Sequence, residues 1–221
     1  MRGLLRNHGL SLAMFGFFLL FWGGQTLTGW QVYNEEQRQD GDPETTLTGY
    51  VRTGHFVEAT FENWESEYLQ MGVYVLVTVF LIERGSSESK DPDAAEAVDE
   101  NPRLAKDKEN APWPVQRGGW VLVLYEYSLT IVLLLFFAVS FVFHALGGAS
   151  EYNQQQISQG LPPVTTWQFL TTADFWFQSF QNWQSEFLSI ASIAVLSIYL
   201  RQRGSPESKP VAAPHEQTGS S

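Results

Sequence analysis

Residues 61–67 read Phe-Glu-Asn-Trp-Glu-Ser-Glu, and residues 180–186 read Phe-Gln-Asn-Trp-Gln-Ser-Glu. The two stretches lie 119 positions apart, and the same offset aligns residues 10–90 with 129–209 without a gap. Of these 81 aligned positions, 26 are identical. Gapless agreement over such a length indicates a tandem duplication of one structural unit.

Four apolar blocks surround the repeated motif. A helix needs about 20 mostly apolar residues to cross the hydrocarbon core of a bilayer. The blocks run over about 10–30, 64–82, 120–146 and 183–200. The second and fourth are short enough for buried helices of a soluble protein, but the duplication pairs the first block with the third and the second with the fourth. The sequence therefore predicts an all-α fold, an integral membrane four-helix bundle made of two tandem helical hairpins.

The duplication also predicts the domain boundaries. The first transmembrane hairpin takes residues 1–90, and the second takes residues 113–209. Between them, residues 91–112 form an acidic linker that we expect to be disordered, as is the tail at 210–221. Since each hairpin returns to the side where it begins, the two hairpins have parallel topology and are not an inverted pair.

The basic residues favour one orientation. Eleven of the thirteen Lys and Arg lie in the N-terminal stub, around residues 83–119, or after residue 200. The positive-inside rule then predicts that both termini and the central connection are cytoplasmic. Two outer loops of about 35 residues follow, and we expect short interfacial helices in them at about 56–64 and 175–183.

Each outer loop begins with a polar stretch, residues 33–39 in the first and 152–159 in the second. We expect both stretches to continue the preceding helix. Gly41 and Gly160 follow, each with a proline shortly after. Glycine then proline is typical of a helix C-terminus.

The motif Asn-Trp-x-Ser-Glu carries the main candidate site. Glu67 and Glu186 lie near the start of the short blocks, where lipid makes an ionised carboxylate costly. If they face each other, with Asn63 and Asn182 as neutral ligands, they could bind a cation or a proton. Alternatively, the two acids hydrogen-bond across the bundle and set the register of its helices.

Other residues of the blocks have structural or functional readings. Glu126 is the only acidic residue of the third block. It snorkels to the near boundary, pairs with Arg6, or relays protons. His144, near the other end, is either a packing residue or a ligand. Tryptophan is enriched at membrane boundaries, which predicts four interfacial anchors: Trp30, Trp64, Trp120 and Trp183.

Composition excludes several functional classes. The chain has no cysteine, which excludes disulfides, zinc–thiolate sites and thiol catalysis. Its formal net charge of −11 argues against nucleic acid as a partner. The sequence has no metal-ligand spacing on a helix, no phosphate-binding glycine loop and no hydrolase nucleophile motif. We therefore expect no metal, no cofactor and no enzymatic activity.

These motifs resemble those of an uncharacterised family of bacterial membrane proteins. The resemblance covers nearly the whole chain and rests on Tyr-Asn-Glu-Glu-Gln at 33–37, the two motifs quoted above, and a doubled Arg-Gly-Ser-x-Glu-Ser-Lys at 84–90 and 203–209. It implies a protein of the bacterial plasma membrane. It implies no activity and no functional residue.

Two functions remain open at this point. We expect an interaction or assembly component of the bacterial envelope, with the lipid bilayer and a second copy or another membrane protein as partners. The alternative is a small channel or transporter for a proton or small cation, with the paired glutamates at its outer mouth.

Overall fold

The computed structural model describes residues 2–219, with side chains from residue 5 on. Helices account for 68% of the chain, and the described part contains no strand, which confirms the predicted all-α class. The α-helices of this part are α1 (Arg2–Asp40), α2 (Leu47–Tyr50), α3 (Gly54–Val77), α4 (Trp113–Arg117), α5 (Gly119–Glu126), α6 (Ser128–Ser158), α7 (Thr166–Phe169) and α8 (Ala173–Tyr199).

The acidic segment between α3 and α4 contains two short 3-10 helices, Ala97–Asp99 and Pro102–Ala105. The Asn101 side chain caps the second of them by accepting a hydrogen bond from the Arg103 N–H. The disorder predicted for residues 91–112 stays a prediction.

Among the described residues, two helices are long and apolar enough to cross a membrane, namely α1 from Leu5 to Asp40 and α6. The most apolar 18-residue windows of these helices have mean hydropathies of 1.5 and 2.6. Helices α3 and α8 carry the shorter apolar blocks. Both are long enough to cross a membrane, at 24 and 27 residues, but neither has a sufficiently apolar stretch. Hydropathy therefore marks two of the four predicted spans.

Two apolar blocks depart from a single continuous helix. Helix α3 ends at Val77, and hydrogen-bonded turns follow it. The run Val-Thr-Val at 77–79 is β-branched, which disfavours further helix. The third block is divided between α5 and α6, because Tyr127 is not helical (φ −110°, ψ 7°). Next to this break, the Ser128 hydroxyl competes with the backbone by donating to the Tyr125 carbonyl.

The helix ends in the two outer loops follow the prediction. Helix α1 ends before Gly41 (φ +82°) and α6 before Gly160 (φ +72°), a conformation that glycine adopts without strain. In both cases the next two N–H groups bond back to the last turn, forming a Schellman motif. We call residues 41–53, which follow α1, the first loop, and residues 159–172, which follow α6, the second loop.

Contacts divide the described chain into two units. The first unit comprises residues up to 62 together with 141–176, and the second comprises 63–140 together with the residues from 177 on. The first unit has an apolar core of four buried residues with partly buried neighbours: Ala145, Ala149, Phe169 and Phe175, packed with Phe141, Tyr152, Val164 and Leu170.

The interior of the second unit is largely polar. Of its residues that are at most 2% exposed, Leu122 is the one apolar side chain in the described part. The others are polar or charged: Glu65, Ser66, Ser86, Ser140, Ser179 and Lys209. Buried polar groups require hydrogen-bond partners, so these side chains indicate where specific contacts lie.

Candidate functional site

The predicted acidic pair lies in the second unit, with Glu67 on α3 and Glu186 on α8. Glu67 is exposed and Glu186 is half-buried. The charge of Glu186 acts on Glu67, so the fold brings the two carboxylates within electrostatic range. Within residues 2–219 neither acid forms a salt bridge. A cation or proton site at this pair stays a prediction.

The two asparagines of the motif make contacts within their own helices. The Asn182 side chain donates to the Gln178 carbonyl at 3.2 Å, and the Asn182 carbonyl accepts from the Ser185 hydroxyl at 2.8 Å. The Asn63 carbonyl likewise accepts from the Ser66 hydroxyl at 2.8 Å. The motif thus repeats one serine-to-backbone bond, while the proposed ligand role of the two amides is untested.

The four predicted tryptophan anchors differ in their surroundings. The Trp30 indole donates to a carbonyl of the first loop at 2.8 Å, and the Trp183 indole donates to the Glu65 carboxylate at 3.0 Å. Trp64 is half-buried, whereas Trp120 is 74% exposed. Trp30 and Trp183 therefore have polar partners within the protein, and anchoring of all four in a bilayer stays a prediction.

Glu126 and His144 lie in different environments. Glu126 is exposed at the end of α5, beside the break before α6. His144 has no exposed surface, and its ring stacks on Phe175 with the centroids 4.8 Å apart. This stacking places His144 against the aromatic core of the first unit.

The most deeply buried acid of the described part is Glu65, a residue that no sequence pattern had marked as a candidate. It occupies the variable position of the first Asn-Trp-x-Ser-Glu motif and has no exposed surface. One carboxylate oxygen accepts from the Trp183 indole at 3.0 Å and from the Ser179 hydroxyl at 3.4 Å. Hydrogen bonds to a charged group are stronger than neutral ones. Glu65 therefore connects α3 to α8 within the second unit.

Helical spacing in the sequence indicates in part that Glu65 is buried. Phe61, Glu65, Leu69 and Gly72 follow each other at intervals of four, four and three, which puts them on one face of α3. A Cβ atom on Gly72 would lie 3.0 Å from the Leu134 side chain, so this face is packed. The partners of Glu65 lie 114 and 118 positions away, and no local pattern indicates them.

The first and second loops share one backbone frame. The Asn34 side chain donates to the Thr45 carbonyl at 3.0 Å and accepts from the Thr45 N–H at 2.8 Å. Asn153 makes the same two bonds with Val164, at 2.8 Å and 2.6 Å. Both pairs are related by the offset of 119. In each case the asparagine ties the loop to the end of the preceding helix.

A glycine in each helix makes room for a ring from the loop. A Cβ atom on Gly29 would collide with the Tyr50 hydroxyl, and a Cβ atom on Gly148 would lie 2.7 Å from the Phe169 ring. Both rings are buried, with Tyr50 2% exposed and Phe169 fully covered. These glycines are required for close approach, and their backbone torsions are ordinary.

The first loop carries polar chemistry at this position. The Tyr50 hydroxyl shares a hydrogen bond with His55 Nδ1 at 3.0 Å. Burial raises the pKa of Tyr50 to about 12, and the nearby charges of Glu151 and Glu36 act in the same direction. The hydroxyl therefore remains protonated over the whole neutral range.

The second loop carries apolar chemistry at the same position. Phe169 replaces Tyr50, and Asp174 replaces His55. The Phe169 ring meets Phe175 edge-on, with the centroids 5.5 Å apart. The two loops therefore combine the same frame with different side-chain chemistry.

The doubled Arg-Gly-Ser-x-Glu-Ser-Lys motif closes one turn after α3 and another after α8. The second serine of each copy accepts a backbone N–H: Ser89 from Glu83 at 2.8 Å, and Ser208 from Gln202 at 2.9 Å. The first serine accepts from the N–H of the motif's glutamate in both copies. These bonds give the conserved spacing of the two copies a structural reason.

The final lysine of each motif has a different partner. Lys90 pairs with Asp99 at 2.8 Å. Lys209 is 1% exposed, and burial together with the charge of Arg201 lowers its pKa. Its ammonium group donates to three backbone carbonyls, those of Pro214, His215 and Gln217. Lys209 therefore organises the tail around itself.

In the part of the chain that is described, no group of three or more acidic or histidine side chains is arranged to hold a metal ion. The expectation that the protein needs neither metal nor cofactor stays a prediction. The buried polar side chains of the second unit instead form hydrogen bonds between helices and loops.

Comparison with known proteins agrees with the resemblance noted in the sequence. No curated protein and no solved structure matches the chain. A family model described as "Domain of unknown function (DUF6766)" matches residues 1–220. The expectation of an uncharacterised family is confirmed, and the chain belongs to this family.

Proposed function

We propose that this chain is a multi-pass protein of the bacterial plasma membrane that acts as a non-enzymatic assembly component of the envelope. Its duplicated hairpins contribute four spans that pack as a bundle. Both termini and the central connection are cytoplasmic, and the first and second loops face outward. The equivalent contacts of Asn34 and Asn153, 119 positions apart, support the duplication.

The observation that carries the membrane proposal is the exposure of α1. Every residue from 10 to 21 is exposed, around the full circumference of the helix. Nine of these are large and apolar: Leu10, Leu12, Met14, Phe15, Phe17, Phe18, Leu19, Leu20 and Phe21. Covering such a side chain is worth about 1.5–3 kcal/mol, so together they amount to more than about 10 kcal/mol. This is comparable to the whole stability of a domain, and lipid removes the penalty.

The assembly part of the proposal rests on the same helix. Gly9, Gly16 and Gly23 of α1 have open space around them: apart from the nearby backbone of α1 itself, no atom lies within 4 Å of a Cβ built on any of them. Small residues at such spacing let a second helix approach closely in lipid. We assign this face to a second copy of the chain.

Membrane topology can be tested without background labelling, because the chain contains no cysteine. Single cysteines would be introduced at four exposed sites: Asp42→Cys, Ser158→Cys, Asp107→Cys and Glu216→Cys. In intact cells an impermeant thiol reagent should label the first two sites, and the last two only after lysis. Labelling of Asp107→Cys from outside, or recovery of the protein in the soluble fraction, would refute the proposal.

Self-association can be tested with two further single cysteines. Ala13→Cys lies on the small-residue face, and Phe15→Cys lies on the opposite side of the helix. We expect disulfide-linked dimers in native membranes from Ala13→Cys alone, and their loss when Gly16→Leu is added. Equal cross-linking at both positions, or none at either, would contradict association through this face.

A second candidate function is transport of a proton or small cation. The observation that favours it is the electrostatic proximity of Glu67 and Glu186. In liposomes, cation or proton flux should then disappear in the Glu67→Gln, Glu186→Gln double variant. It should persist in Glu109→Gln, Glu216→Gln, which removes two exposed acids. Liposomes that remain tight with the wild-type protein exclude this function.

A further inference from the structure

Glu151 is a buried acid with incomplete hydrogen bonding. It lies on α6 in the first unit, beyond the apolar block that ends at residue 146, and it is 9% exposed. Its carboxylate accepts from the His55 N–H and from the Gln155 side chain. The oxygen Oε2 is buried and has no hydrogen-bond partner within residues 2–219. A buried carboxylate oxygen left in this state is unfavourable unless it gains a proton or a donor.

Near Glu151, the backbone of α3 approaches the backbone of α6 closely. A Cβ atom on Gly54, at the start of α3, would lie 2.7 Å from the Gly147 carbonyl and 2.8 Å from the Glu151 N–H nitrogen. This approach brings the first turn of α3 against α6. The N–H groups of a helix's first turn lack partners within the helix, so that of His55 is free to bond to the carboxylate.

Titratable groups face Glu151 from three further elements. His55 on α3 attracts the carboxylate, and Glu36 on α1 repels it. Tyr50 on α2 experiences the charge of Glu151, and its hydroxyl lies on His55 Nδ1. Two groups complete the surroundings: Glu58, whose carboxylate approaches the backbone at Gly148, and Tyr33, which hydrogen-bonds to Gln154.

We propose that Glu151 and His55 form a proton-binding site in the first unit, with Tyr50 holding the histidine ring. A proton from solvent adds to the Glu151 carboxylate and gives the neutral acid. No other bond forms or breaks. When the proton leaves, the carboxylate keeps the hydrogen bond from the His55 backbone N–H. This site does not depend on the proposed transport at Glu67 and Glu186, which lie in the other unit.

Burial is the main influence on this site and raises the pKa of Glu151 above its ordinary value of 4.5. The charge of His55 opposes the shift, and that of Glu36 adds to it. Because folding favours the protonated acid, the stability that it contributes is complete below pH 4.5 and is lost as the pH rises through the raised value.

The corresponding place in the other half of the chain lacks this chemistry. At the offset of 119, Val32 corresponds to Glu151, and Phe169 and Asp174 correspond to Tyr50 and His55. The acid is therefore not part of the frame that both loops share. Removing its charge should leave that frame intact.

Isotope-edited infrared spectroscopy of the purified full chain, with labelled glutamate, tests the site directly. We expect a carboxylic acid band that ionises above pH 4.5 in the wild type. The band should be missing in Glu151→Gln and present in Glu35→Gln, an exposed acid of α1. A titration identical in the wild type and Glu151→Gln, or loss of the band in both variants, overturns the proposal.

The histidine has its own test, which decides the question even if Glu151→Gln does not fold. His55→Gln removes the opposing charge, so the ionisation midpoint of the acid band should rise. An unchanged midpoint overturns the pairing. The thermal midpoint gives an independent measurement. The midpoint of Glu151→Gln minus that of the wild type should increase as the pH rises from 4.5 to neutrality. A difference that does not vary with pH also contradicts the proposal.

Discussion

The first loop places Tyr50 over Gly29 with its hydroxyl on His55, whereas the second loop places Phe169 over Gly148 with aromatic rings around it. Both loops are held by an asparagine that bonds twice to the loop backbone. The comparison separates the residues that build the frame from those that set its chemistry. The asparagine and the glycine recur in both halves, while the buried ring and its neighbour differ.

The largest loss of stability should come from removing the buried ring of the second loop. Phe169→Ala removes a fully covered ring from the core of the first unit. Truncation of a buried phenylalanine costs about 3–5 kcal/mol. We expect a corresponding fall in the thermal midpoint in detergent, measured by circular dichroism. Trp167→Ala, in the same short helix but 80% exposed, is the matched control and should change little.

The close approach of Tyr50 to Gly29 predicts a loss of stability that a second substitution restores in part. Gly29→Ala should cost about 1–3 kcal/mol by overpacking against the Tyr50 hydroxyl. Adding Tyr50→Phe removes the colliding oxygen, so the double variant should be more stable than Gly29→Ala alone. Gly24→Ala, which meets no atom within 4 Å, is the control for the helix itself. If the two substitutions lower the free energy of unfolding additively, the strain does not arise from the contact between residue 29 and the Tyr50 hydroxyl.

The asparagines test whether the frame is equivalent in the two loops. Asn34→Ala and Asn153→Ala each remove two bonds to the loop backbone and leave its polar groups unsatisfied. We expect losses of about 1–3 kcal/mol from each, and similar ones, measured by chemical denaturation or pulse proteolysis. A loss confined to one of them would mean that the two loops are held in different ways.

The smallest effect concerns the Tyr50 hydroxyl. Tyr50→Phe removes one hydrogen bond to His55, worth about 1 kcal/mol. Since the pKa of Tyr50 is raised to about 12, the stability from its protonated form is complete below pH 10 and is lost as the pH rises through 12. The wild type should therefore lose more stability than Tyr50→Phe between pH 10 and 12. Parallel alkaline transitions would contradict this assignment.

Local sequence predicted the helix ends well. Gly41 and Gly160 end their helices where expected, because glycine adopts the left-handed conformation that closes a helix. The polar continuations of α1 and α6 also follow the prediction. The prediction failed at the end of α3 and at Tyr127, where β-branched residues and a competing serine hydroxyl interrupt an apolar block.

The candidate site could be predicted only in part. The repeated motif pointed to Glu67 and Glu186, and the fold does bring these two acids within electrostatic range. Glu65 was not predicted, because it occupies the variable position of the same motif. Helical spacing nevertheless puts it on a packed face. Glu151 carried no local signal, because its importance comes from His55 and Glu36 on other helices.

By itself the sequence determined the all-α class, the repeat at an offset of 119, the ends of α1 and α6, and the apolar character of these two helices. These properties depend on backbone torsions and on composition within a few turns of helix. Only the tertiary structure decided which acids are buried and what faces them. Burial and hydrogen bonding depend on groups more than 90 positions apart in the chain, as for Glu151 with His55 and for Glu65 with Trp183. No local pattern encodes their distance in space.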